Sequence, residues 1–231
     1  MRAVHVASAV AVVAGAAVAA IVVTRTGDER PRLVTFGHSI VAGIGNPARP
    51  WPPRVAERLA VPLENRGVGG AEAPDLARVV RAYRPRPGDV AVVQIGINDV
   101  LRHGLGGLPA FRAGLGDALS RLSRGLGSGR VAFAFDAPIA AWRGTPFTGP
   151  SFDRGSDEAL AAYRRVAREI ADARGVRFVD LGEGWDLADV VDGLHPDERG
   201  TQAIADRLAP VVEDLLRAAV ARSSAFSDPV R

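Results

Sequence analysis

Five short strand-like segments, separated by longer stretches with helical spacing, constrain this 231-residue chain more than any other feature. The segments are Leu33–Phe36, Pro62–Asn65, Asp89–Ile95, Arg130–Phe135 and Arg177–Leu181. The third, DVAVVQI, is apolar at consecutive positions, as a strand covered on both faces must be. Trp51-Pro52-Pro53 opens a helix with Val55 and Leu59 on one face, because proline is tolerated in a first turn. Pro74 opens another, carrying Leu76, Val79, Val80 and Tyr83. Leu108, Phe111, Leu115, Leu119, Leu122 and Leu126 recur three and four apart, which predicts a helix despite Gly114 and Gly116. Ser156 is expected to cap a helix over Asp157–Arg174 that Gly175 ends, and a last helix over Glu198–Ala221 should kink at Pro210. Strands alternating with helices imply an α/β fold, with a mainly parallel five-stranded sheet covered on both faces. Ligands gather beyond the carboxyl ends of the strands in such sheets, so function is sought in the residues just after each one.

Those positions share a composition. Gly37-His38-Ser39 follows the first strand, Asn65-Arg66-Gly67-Val68-Gly69-Gly70 the second and Gly96-Ile97-Asn98-Asp99 the third. Asp192-Gly193-Leu194-His195-Pro196 lies between the last strand and the last helix. Acyl transfer fits this set. A serine hydroxyl is a poor nucleophile until a base takes its proton. Of the four histidines, His5 lies in an apolar N-terminal run, His103 in a glycine-rich loop expected at the surface, and His38 directly before Ser39. His195 has Asp192 three residues earlier, and an aspartate so placed can bond Nδ1–H and leave Nε2 free towards Ser39. The backbone N–H groups of Ser39 and Gly70 and the amide of Asn98 are candidates for an oxyanion hole. Asp99 is expected to cap the helix that follows it.

The four blocks, in this order and spacing, resemble the GDSL/SGNH hydrolase family over about Leu33 to Leu216. The resemblance implies a flavodoxin-like three-layer sandwich and a serine hydrolase acting on esters or thioesters without a cofactor. It places the nucleophile on Ser39, the remaining triad members on Asp192 and His195, and oxyanion donors on Ser39, Gly70 and Asn98. The family usually carries aspartate where this chain has His38. As the resemblance implies, that aspartate supports the loop rather than moving protons. Neighbouring residues at a strand end point opposite ways, so His38 should face away from the reacting centre and make a structural hydrogen bond. Val41 removes the G-x-S-x-G elbow of the α/β-hydrolases. Two other readings use the same residues: an acyltransferase acting on an envelope glycan or lipid, and a binding module on the same scaffold.

Composition narrows the alternatives. There is no cysteine, which excludes disulfides, thiol nucleophiles and cysteine-held metals. No His and acidic residues have metal-ligand spacing, so no metal is expected. The net charge is +3, every basic residue is arginine, and none clusters with aromatics, so nucleic acid is not an expected partner. Residues 1–23 read as an apolar helix, either an uncleaved membrane anchor or a cleaved signal peptide. A linker over 24–32 joins it to a domain over 33–222, and 223–231 reads as a disordered tail. The expected location is therefore membrane-anchored or secreted, with the domain outside the cytoplasm and an ester as its small-molecule or lipid partner. Trp51 and Trp142 are expected as hydrophobic lids, and the loop from Asp136 to Pro150 as a wall of the acyl pocket.

Overall fold

The computed structural model describes residues 30–45, 48–137, 152–186 and 189–225. They form a parallel sheet of β1 (Arg32–Gly37), β2 (Leu63–Gly67), β3 (Asp89–Gln94), β4 (Val131–Phe135) and β5 (Arg177–Asp180), in the order β2-β1-β3-β4-β5. All four neighbouring pairs run parallel. The helices are α1 (Ser39–Ala42), α2 (Trp51–Arg58), α3 (Ala73–Ala82), α4 (Ile97–His103), α5 (Leu108–Leu126), α6 (Asp157–Asp172) and α7 (Glu198–Ala225).

Alternation along the strands builds two cores. Val34 and Phe36 of β1, Ala91 and Val93 of β3, and Val131, Phe133 and Phe135 of β4 face α3, α5 and α6. Leu33, Val90, Val92, Ala132 and Ala134 face α2 and α7. On β4 the phenylalanines lie on one face and the alanines on the other, so α7 packs over small side chains while α5 and α6 pack over rings. The result is a sheet between two helical layers, as expected.

Several boundaries differ from expectation. β1 begins at Arg32, inside the expected linker, because its guanidinium makes two 2.9 Å bonds to the buried Asp89 carboxylate. α7 runs to Ala225, past the expected end of the domain, with Pro210 inside it. Ser156 does cap α6, its hydroxyl accepting from Ala159 N at 3.0 Å. Trp51 is not a lid. It is wholly buried in the core, which its indole N–H tolerates because Gln94 Oε1 accepts from it at 2.8 Å. Trp142, most of the expected pocket loop and the apolar N-terminal run lie outside the described residues. Among the described residues no helix is long and apolar enough to cross a membrane.

β1 and β3 are neighbours, yet the chain leaves β1 for β2 on the other side before returning to β3. This is the switch point of the sheet, where a crevice opens beyond the strand ends. Ser39 follows β1 there, and Asn98 follows β3.

Candidate active site

The turn after β1 is dictated by close packing. Gly37 has φ +156, and any Cβ on it would overlap the Gln94 carbonyl oxygen of β3. His38 then caps α1, with Nδ1 accepting from Ile40 N at 3.3 Å. Ser39 is the first residue of α1, so its own N–H has no partner within the helix. Block two holds the far end of α1: Asn65 Nδ2 donates to Val41 O at 2.7 Å, and Thr35 Oγ1 donates to Asn65 Oδ1 at 3.2 Å.

Ser39 Oγ lies 2.9 Å from His195 Nε2, and His195 Nδ1 lies 2.7 Å from Asp192 Oδ2. Asp192 Oδ1 closes the turn by accepting from Leu194 N at 3.0 Å and His195 N at 2.7 Å. Burial acts to raise the Asp192 pKa. The His195 backbone N–H, its imidazole and the Leu194 N–H outweigh that and hold the carboxyl below the usual carboxylate range. Gly45, at φ +75, lies against the His195 ring, with room for no side chain.

Asn98 is buried in the first turn of α4, and its Nδ2 donates to Ala71 O at 2.9 Å. One amide hydrogen is used by that bond, and the second is the one available to a ligand. Gly70 has φ +71, and among the described residues no acceptor takes its N–H. Asp99 does not cap the helix that follows. It lies within α4, and both its oxygens accept from Ala73 N, the first residue of α3, at 3.1 and 3.2 Å. The α3 terminus thus uses a carboxylate from across the site. Burial pushes the Asp99 carboxyl up to about 7; the Ala73 N–H opposes this, and nearby Glu72 adds to it. His103 is not in a loop either. It ends α4 and bonds Glu72 Oε2 at 2.9 Å.

The structure therefore joins Ser39, His195 and Asp192 in one hydrogen-bonded chain. It sets Asn98 against the loop that carries Gly70. His38 faces away from Ser39 Oγ into the protein, where its Nε2 lies 2.9 Å from Asp136 Oδ1. Gln94, Trp51 and Asp136, which support this turn, were not legible as functional. A groove of about 480 Å³ along β5 and α7 contains none of these residues. Among the described residues no group of three or more His, Asp or Glu is placed to hold a metal ion.

Residues 35–203 match the GDSL-like lipase/acylhydrolase family, about three quarters of the chain (169 of 231 residues). The chain belongs to that family. This GDSL-like acylhydrolase is accordingly a serine hydrolase acting on ester bonds. Among curated proteins none matches it. Its fold is that of several solved structures. A protein from Lactobacillus plantarum is 20% identical with a TM-score of 0.65, over 79% of this chain and 96% of the other. The M. smegmatis aryl esterase is 18% identical with a TM-score of 0.61, over 80% and 99%. A carbohydrate acetylesterase from Sinorhizobium meliloti is 16% identical with a TM-score of 0.60, also over 80% and 99%.

Proposed function

We propose that this acylhydrolase cleaves carboxylic esters through an acyl-serine intermediate on Ser39. The observation that carries the reading is the Ser39–His195–Asp192 chain. Asp192 occupies Nδ1 of the imidazole and leaves Nε2 facing the hydroxyl at 2.9 Å. Ser39 Oγ attacks the ester carbonyl as its proton passes to His195 Nε2. Negative charge on the carbonyl oxygen is met by the Ser39 and Gly70 N–H groups and the free hydrogen of the Asn98 amide. Collapse breaks the ester C–O bond, and the alcohol leaves with the proton from Nε2. Water then attacks the acyl-serine, giving its proton to Nε2, and the carboxylic acid is released as Ser39 takes that proton back. Asp192 stays ionised throughout and stabilises the transient imidazolium.

Exposed Ile44, Val68 and Val191 flank these segments and favour an ester with apolar surface over a fully polar one. Placement at or outside the membrane rests on the apolar residues 3–23 alone, and fractionation of cells expressing the full chain tests it. For the chemistry, a fluorophosphonate probe labels the wild type once, and Ser39→Ala abolishes labelling with an unchanged melting curve. Intact labelling of a folded Ser39→Ala variant removes Ser39 from the mechanism.

A further inference from the structure

Asp136 follows β4 and is 1% exposed. A carboxylate so deeply buried is tolerated only where donors replace its water. Oδ1 takes His38 Nε2 at 2.9 Å and Gln94 Nε2 at 2.8 Å, and Oδ2 takes Ile97 N at 3.1 Å. Because His38 Nδ1 accepts from Ile40 N, the proton of the neutral ring is assigned to Nε2, the nitrogen that faces Asp136. Gln94 is fixed in turn by Trp51. His38 immediately precedes Ser39, and Ile97 immediately precedes Asn98. One buried carboxylate therefore grips the turn after β1 and the turn after β3, and it does so from β4.

We infer that Asp136 is a positioning residue for the reaction, setting the Ser39 hydroxyl against the Asn98 amide by holding the residue before each. It touches no reacting atom. Its effect is on geometry, and a nucleophile and an oxyanion donor lose rate steeply when their separation drifts by a fraction of an ångström. This rests on the reading of Ser39 as nucleophile. Failure of that reading shows as labelling that survives in a folded Ser39→Ala variant, whereas failure of this inference shows only among the variants below.

The two nitrogens of His38 can be separated by substitution. Asparagine at position 38 keeps an acceptor for Ile40 N–H but is too short to reach Asp136. Glutamine reaches Asp136 with its amide N–H but loses the acceptor. Asp136→Asn places an NH₂ group among donors. With p-nitrophenyl acetate, Asp136→Asn and His38→Asn should each lower kcat about 10–100-fold, with KM changed less than about threefold. His38→Gln should recover most of the His38→Asn loss. The His38→Asn/Asp136→Asn double variant should be no slower than Asp136→Asn alone, as residues acting through one bond are not additive. All are assayed where melting curves show them folded, and if Asp136→Asn does not fold, the contrast at position 38 decides. Unchanged kcat in Asp136→Asn, independent losses that multiply in the double variant, or a His38→Gln no faster than His38→Asn would overturn the inference.

Discussion

Gly45→Ala should cripple the enzyme out of proportion to its effect on stability. Gly45 has φ +75, and a Cβ there would lie 2.8 Å from Cε1, 3.1 Å from Nε2 and 3.2 Å from Nδ1 of His195. Carbon atoms in ordinary contact are at least about 3.5 Å apart, so ring and methyl must separate by roughly 0.7 Å. The ring has little freedom to take this up elsewhere, since Asp192 holds Nδ1 at 2.7 Å and Ser39 lies 2.9 Å from Nε2. A productive constellation tolerates about 0.5 Å, so kcat/KM should fall on the order of 10–10²-fold. The left-handed backbone adds a stability cost of about 1–2 kcal/mol for alanine. Gly184→Ala is the control, because Gly184 has φ +66 but meets only Arg207 Nη2, at 3.9 Å. It should lose similar stability and keep its activity. The assay is p-nitrophenyl acetate hydrolysis below both melting transitions. Equal kcat/KM for the two variants would mean that the loop yields rather than the imidazole, and the reasoning fails.

Three further outcomes are expected. Asn98→Ala should lower kcat about 10²–10³-fold with little change in KM, measured on the same ester, since it removes one of the proposed oxyanion donors. Asp192→Asn should lower kcat by on the order of 10³–10⁴, because an amide cannot hold the imidazole with Nε2 free to accept; retention of more than a tenth of wild-type kcat would contradict it. Asp99 titrates near 3.8 when unfolded but about 7 when folded, so its protonated form favours the fold. That contribution is complete below about pH 4, falls as pH rises towards 7 and is gone above it, a change on the order of 4 kcal/mol. Asp99→Asn keeps an acceptor for Ala73 N–H and should remove this slope, and parallel urea stabilities for the two proteins from pH 5 to 8 would refute the burial argument.

Much of this was readable in the sequence for a physical reason. A parallel strand covered on both sides is written as consecutive apolar residues, and function collects at its carboxyl end. Ser39, Asn98 and His195 were therefore candidates by position as well as by type, and the structure places them at one edge of the sheet. What stayed hidden was either too short or too distant. α1 has four residues and α4 seven, less than the two or three turns that periodicity needs. Asp99 looks local, an aspartate at a helix start, but its partner belongs to another helix, 26 residues earlier. Asp136 reads as the first polar residue of a loop, and only the pairing of β4 with β3 brings it beneath His38, 98 residues away. Trp51 was misplaced because nothing in its own segment reveals that Gln94 offers its indole an acceptor.

The order in which the chain supplies its parts has a consequence in time. Ser39 and His195 are 156 residues apart, and the strand that precedes Ser39 lies inside the sheet, paired with β3 on its other side. Contacts of such long range form slowly. During synthesis the Ser39 hydroxyl emerges with the first strand, while His195 follows the last one, just before α7. If Ser39 and His195 act as proposed, a nascent or truncated chain ending before residue 195 carries the serine without the base that would activate it. On the proposed mechanism, hydrolysis waits until almost the whole domain has been made.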